Sequence, residues 1–368
     1  MYSLCGHCSA RQGGGEFEDA KPGECFVCAG MMDMVEPISK KAAREARSYE
    51  FDTFAVGVTL PDGVQEREDE VRADLKLKGN ETVRTQAGRM VAGLVAEALG
   101  RRIDKQRPDL TLLADFDRGS VSASSRPLYY SARYSKPPGV SQRRELCAKC
   151  RGTGCKRCRG TGTEPKPSVE DLVGRRLAKE TKSEKATFTW LGSEDRESRV
   201  YAPGRPFVVE VKSPKRRKVP RRLVARFRGG QVEVSGGRVL PAKPVKLPTF
   251  KFRTTIYGLT RTKVGEEGLA DLRKAFRDAP VLFERPYDRP TTKTVYRTSA
   301  RTKGRSILID AELDGGLPVK RFVSGDLVSP SVSEVLKTEV RCRNFDIREV
   351  RETGEFEFAE VPRIKKKN

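Results

Sequence analysis

Eight of the nine cysteines fall into four Cys-x-x-Cys pairs, and this pairing constrains the fold more than any other feature. Cys5–Cys8 and Cys25–Cys28 stand sixteen residues apart. The intervening RQGGGEFEDAKPGE is too polar and Gly-rich to fold without a staple. One such turn offers two thiolates to an ion, and two turns complete a tetrahedral set. Cys5, Cys8, Cys25 and Cys28 therefore read as a zinc site. Four thiolates leave no open position, so the zinc is structural. A second set, Cys147, Cys150, Cys155 and Cys158, has the spacing C-x2-C-x4-C-x2-C within a loop at 136–167 dense in Arg, Lys and Gly. It reads as a second zinc site in a basic finger that touches phosphate. Its four-residue spacer is short, and a reduced surface loop is the alternative.

Cysteines used as metal ligands imply a reducing compartment, and the chain is expected to be cytoplasmic. The opening MYSLCGHC has no apolar core of a secretory signal, and no stretch approaches a membrane span. The only histidine is His7, which excludes most His-based acid–base schemes. Chemistry must then rest on carboxylate, tyrosine, lysine or metal. The chain carries 73 Lys and Arg against 50 Asp and Glu, a formal net charge of +23. Such a balance points to a polyanionic partner, nucleic acid before membrane.

The 368 residues suffice for two or three domains. Residues 1–35 form the first four-cysteine module. Residues 36–135 read as an α/β unit, with a helix over 85–103 (TQAGRMVAGLVAEALGRRI) and short strands in LTLLADFD, VSAS and PLYYSARY. Residues 136–368 follow as a third region, with the Cys-rich loop at 143–163. There SVED opens a helix, ATFTWLG, PFVVEVKS and FKFRTTIYGLTR read as strands, and TVYRTSAR pairs with RSILIDAEL. GEEGLADLRKAF and PSVSEVLKTEV read as helices. Lys212 to Arg228 is a basic run, most simply a phosphate-facing surface. Strands in hairpins mixed with helices give an α+β class, largely antiparallel, rather than a doubly wound sheet.

The stretches SARYSKPPGVSQ (131–142), GSEDRESRVYAPGRPFVVEVKSPKR (192–216) and DGGLPVKRFVSGDLVSPSVSEVL (314–336) occur in order with the Cys-x-x-Cys loop and the SVEDLV helix. Together they resemble the archaeal and eukaryotic tRNA pseudouridine synthases that modify the T-arm. The resemblance implies a pseudouridine-synthase-type catalytic domain preceded by a zinc module and a THUMP-like RNA-binding domain. It implies isomerisation of uridine 54 and/or 55 without an organic cofactor, with tRNA as partner and a monomeric enzyme. The family's Gly-Arg-Glu-Asp matches Gly192-Ser193-Glu194-Asp195, which makes Asp195 the catalytic residue and places Ser193 where an arginine is usual. A cationic neighbour, Arg196 or Arg199, is expected to keep that carboxylate ionised. The family's aromatic beside the flipped base falls on Tyr257, and its late basic residue on Lys320, with Pro318 where a tyrosine is usual. Arg199 and Arg205 join these as substrate-binding residues, Arg205 being equally suited to a structural turn.

Pseudouridine formation breaks the N1–C1′ bond, turns the uracil and rejoins it through C5. That chemistry needs an ionised aspartate beside a flipped-out uridine, which explains a carboxylate set among arginines. A non-catalytic tRNA-binding zinc protein of the same family is the alternative, because Ser193 and Pro318 depart from its pattern. A zinc-bearing accessory factor would not need the large region after residue 165, and a single Gly-flanked cysteine tandem is too little for a chaperone cofactor.

Overall fold

The computed structural model describes residues 1–285 and 288–359, and they divide into two units. The first comprises Met1–Pro127 with two short returning segments, Thr181–Glu184 and Lys212–Arg217. The second holds the remainder.

In the first unit, Val83, Ala87, Val91 and Val95 recur every fourth residue and are all fully buried. That spacing puts them on one face of a helix. The helix spans Val83–Leu99, starting two residues before the expected 85. Thr82 caps it by accepting from the Thr85 amide, and Gly100, at φ +62°, ends it before the expected 103. The helix packs on a four-stranded sheet ordered Arg102–Ile103, Thr53–Thr59, Leu110–Asp115, Ser120–Ser125. Its first three strands are parallel and the fourth antiparallel.

The first four-cysteine segment is not a separate module. Leu4, Cys8, Val27 and Met31 share one core with Ile38, Phe54, Val91 and Leu112. Arg11, 2% exposed, joins the same body by an ion pair to the fully buried Glu68.

The second unit is built on an eleven-stranded sheet. Its order is Leu223–Phe227, Gly230–Leu240, Leu128–Lys136, Val200–Lys212, Val340–Glu352, Phe250–Thr260, Ser306–Asp314, Asp288–Lys303, Ala279–Arg285, Val328–Ser329. Lys185–Trp190 pairs separately with Val200–Lys212. Along the ten-strand order every pair is antiparallel except Val340–Glu352 against Val200–Lys212, so the expected α+β class with a mixed, largely antiparallel sheet is what the chain forms. Leu128–Lys136 is an interior strand of this sheet, so the unit boundary falls at 127/128 and not at the expected 135/136. Helices Val169–Thr181, Glu266–Ala275 and Val319–Ser324 cover an apolar layer including Phe207, Phe252, Ile256, Ile309 and Phe322.

The basic run at 212–228 is divided between the two units. Lys215 lies over the Tyr49 ring, and the half-buried Arg217 donates to the Arg126 carbonyl at 2.8 Å, both within the first unit. From Leu223 to Phe227 the run is a strand of the second, leaving Arg226 and Arg228 exposed. Among the described residues, no helix is long and apolar enough to cross a membrane.

Candidate active site and metal centres

The candidate site grows from the turn between the strands Lys185–Trp190 and Val200–Lys212. An aromatic cluster lies under this turn, with Phe188 stacked on Trp190 at 4.9 Å and Tyr134 edge-on to Trp190 at 5.7 Å. Gly192 begins the turn at φ +84°, and a Cβ there would sit 2.1 Å from Arg205 Nη1. Only glycine suits both the backbone and the space.

The next two carboxylates diverge. The Glu194 side chain is fully buried and forms an ion pair with Arg205 Nε at 3.0 Å. The Tyr134 hydroxyl donates to it at 2.6 Å and Gln142 Nε2 at 3.3 Å. Arg205 Nη1 also donates to the Leu191 carbonyl at 2.9 Å. Burial and the Glu194 charge push the Tyr134 phenol well above its ordinary range, so Tyr134 remains a donor. Arg205 thus braces Glu194 within the turn, and it also lines the cavity that holds Asp195.

Asp195 points the other way, 37% exposed, and pairs with Lys320 at 2.8 Å. Lys320 lies in the first turn of the short helix Val319–Ser324, which starts after Pro318. The departure at Pro318 therefore marks a helix start. Both residues line a cavity of about 410 Å³ with Ser193, Phe250, Phe252 and Phe345.

The cation expected from Arg196 or Arg199 is Lys320 instead. Arg196 is paired with Glu145 at 2.6 Å, and the Arg199 guanidinium lies over the Tyr201 ring. Arg199 contributes through its backbone, whose N–H donates to Asp346 at 2.9 Å.

Tyr257 is not in the cavity of Asp195. It lies five residues along its strand from Phe252, an odd step that turns its side chain to the other face of the sheet. It lines a separate cavity of about 680 Å³ with Arg253, Arg297, Arg301 and Arg348. Its hydroxyl donates to Asp346 at 3.1 Å, and burial raises its pKa, with the Asp346 charge acting in the same direction. The aromatic residues that line the cavity with Asp195 are Phe250, Phe252 and Phe345.

One group missed at the sequence level is Lys136. It is 2% exposed, and its ammonium donates to the carbonyls of Asp195 at 3.1 Å, Arg196 at 3.2 Å and Ser198 at 2.6 Å. Burial depresses its pKa to about 8, against the pull of Glu194. Tyr134, Lys136 and Gln142 all stand in SARYSKPPGVSQ, so the signal lay within a stretch that carries the family resemblance.

Both cysteine sets converge. In each, the four Sγ atoms lie within 4.8 Å of one another and could hold a metal ion. In the first, Arg11 Nη2 donates to Cys8 Sγ at 3.3 Å. In the second, the amides of Cys155 and Gly162 donate to Cys158 Sγ at 3.1 and 3.3 Å. Cys342 stands apart from both sets, and burial pushes its thiol up to about 11.

Two family models match the chain, "Pus10 THUMP domain, archaeal" over residues 38–115 and "Pus10, C-terminal" over 132–238. A Cenarchaeum symbiosum protein described as tRNA pseudouridine synthase Pus10 is 31% identical over 332 residues, covering 90% of this chain and 82% of that protein. The chain belongs to the Pus10 family of pseudouridine synthases. Pus10 proteins of Korarchaeum cryptofilum and Nitrosopumilus maritimus are 31% and 27% identical, covering 90% and 95% of this chain and 94% and 95% of their own lengths. The THUMP match falls in the first unit, and the C-terminal match falls in the second apart from the returning segments Thr181–Glu184 and Lys212–Arg217.

Proposed function

We propose that the chain converts a T-arm uridine of tRNA, position 54 and/or 55, to pseudouridine, with Asp195 as the essential carboxylate. Membership of the Pus10 family supports the substrate. The observation that carries the site is the Asp195–Lys320 pair, 2.8 Å apart on a cavity walled by Phe250 and Phe252. The base leaves its stack and enters against these rings. Asp195 then acts as nucleophile at C1′ or as base at C2′. The N1–C1′ bond breaks, C5–C1′ forms, and the C5 proton is lost as N1 gains one, so the reaction is a redox-neutral isomerisation. Lys320 orients the carboxylate while RNA excludes water.

Zinc fits both thiol sets as a structural ion. Four sulfurs about 2.3 Å from one ion are separated by about 3.8 Å along each tetrahedral edge. The pairs Cys5–Cys28, Cys150–Cys158 and Cys155–Cys158 are each 3.7 Å apart, and Cys147–Cys155 is 3.9 Å. Elemental analysis should find two zinc ions per chain.

Asp195→Asn tests the catalytic assignment, since an amide keeps the shape and removes the charge. Under single-turnover conditions it should form no pseudouridine while tRNA binding stays within about twofold. Conversion at the wild-type rate would remove Asp195 from the active site.

A further inference from the structure

The second cysteine set contains a direct repeat, Cys147-Ala-Lys-Cys-Arg-Gly-Thr-Gly154 followed by Cys155-Lys-Arg-Cys-Arg-Gly-Thr-Gly162. The two halves fold alike. Arg151 and Arg159 both take left-handed backbone, at φ +48° and +52°. Thr153 and Thr161 hydroxyls donate to the carbonyls of Cys150 and Cys158 at 2.8 and 2.7 Å. The halves pack backbone to backbone, since a Cβ on Gly162 would meet the Gly152 carbonyl oxygen at 2.4 Å and one on Gly154 would meet that of Gly160 at 2.9 Å. The result is a stiff knuckle that shows the same Arg-Gly-Thr-Gly turn twice.

Its charge is unbalanced. Residues 143–166 hold eight Lys and Arg against two Glu. Both Glu residues are already engaged, Glu145 with Arg196 and Glu164 with Arg157. Arg143, Lys149, Arg151, Lys156 and Arg159 are exposed and have no carboxylate partner among the described residues. The foot of the knuckle is tied to the catalytic turn. Gln142 Nε2 donates to the Gly192 carbonyl at 3.2 Å as well as to Glu194, and Glu145, two residues before Cys147, holds the residue that follows Asp195.

We propose that this knuckle grips the sugar-phosphate backbone of the substrate RNA beside the uridine held at Asp195, with Arg151 and Arg159 as equivalent phosphate contacts. Exposed guanidinium forks without internal partners suit phosphate, and the brace on the catalytic turn puts them where the strand flanking the flipped base must run. The inference rests on the reading of tRNA as substrate.

The test is an Arg151→Asn/Arg159→Asn double variant, because asparagine tolerates left-handed backbone. Its affinity for a tRNA transcript should fall about tenfold at about 150 mM salt. The slope of log Kd against log salt should shrink by about two, one unit for each phosphate that is no longer neutralised. Zinc content should be unchanged, and the single-turnover rate at saturating tRNA should stay within about twofold of wild type. Should the double variant lose zinc, Lys149→Gln/Lys156→Gln, at positions of ordinary backbone, should give the same loss of affinity and slope. Wild-type affinity with an unchanged slope in the variant that keeps its zinc would overturn the grip alone. A wild-type chain with no affinity for tRNA would overturn both this inference and the substrate reading.

Discussion

Glu194 and Asp195 are neighbours in one turn, yet they sit in opposite environments. Glu194 is sealed from water with Arg205, Tyr134 and Gln142 around it. Asp195 is 37% exposed and touches one long, half-exposed cation. A buried carboxylate is there to hold structure, because its desolvation is offset only by fixed partners. A surface pair contributes little to stability, typically under about 1 kcal/mol, so the orientation of Asp195 toward a cavity serves something other than folding. On the proposed assignment, the site separates scaffold from chemistry across a single peptide bond.

That separation can be broken deliberately. The largest effect on stability is expected from Glu194→Gln, which leaves the Arg205 guanidinium buried beside a neutral partner. It should cost about 3–5 kcal/mol in urea denaturation of the second unit. A loss below about 1 kcal/mol, the range of a surface pair, would mean that the two carboxylates are not distinct.

Lys136→Met comes next. It keeps the length and apolar stem but removes the donor to the carbonyls of Asp195, Arg196 and Ser198. The single-turnover rate should fall at least tenfold with tRNA affinity nearly unchanged. The pH dependence sharpens the assignment. The Lys136 pKa falls from 10.5 to about 8 on burial, so the folded state releases its proton while the unfolded chain still holds it. Stability from this group is therefore lowest below pH 8 and rises between pH 8 and 10.5. The ammonium has three N–H donors for three carbonyls, whereas the amine has two. Turnover should decline above pH 8 while stability against denaturant climbs. The methionine variant should lose both trends, and parallel pH profiles for it and wild type would remove Lys136 from this role.

The smallest stability effect belongs to Lys320→Ala, under about 1 kcal/mol. Its single-turnover rate should nevertheless fall at least tenfold, because Asp195 loses its ion-pair partner. Equal losses of stability and rate would place Lys320 in the scaffold with Glu194.

Much of this organisation is legible in the sequence because it depends on short-range patterns. Two Cys-x-x-Cys turns declare a four-thiolate set by spacing alone, and both sets converge as expected. The four-residue spacing of Val83, Ala87, Val91 and Val95 declares a helix. The order of motifs around Asp195 and Lys320 led to the family and to a pair that the structure holds 2.8 Å apart.

Other features depend on which distant strands become neighbours, and local pattern carries no record of that. A step of five residues along Phe250–Thr260 sends Tyr257 to the far face and leaves Phe250 and Phe252 beside Asp195. Lys136, 59 residues before Asp195, reads as one more base in a basic chain until sheet pairing buries it under the turn that carries Asp195. The same pairing makes Lys320 the partner of Asp195, because Arg196 is already bound to Glu145. The sequence by itself determined the two four-cysteine sets, the class of fold and which carboxylate is proposed to react. Tertiary structure alone decided which cation, which aromatic rings and which buried donor surround it, since burial and sheet register arise only when the whole chain has paired.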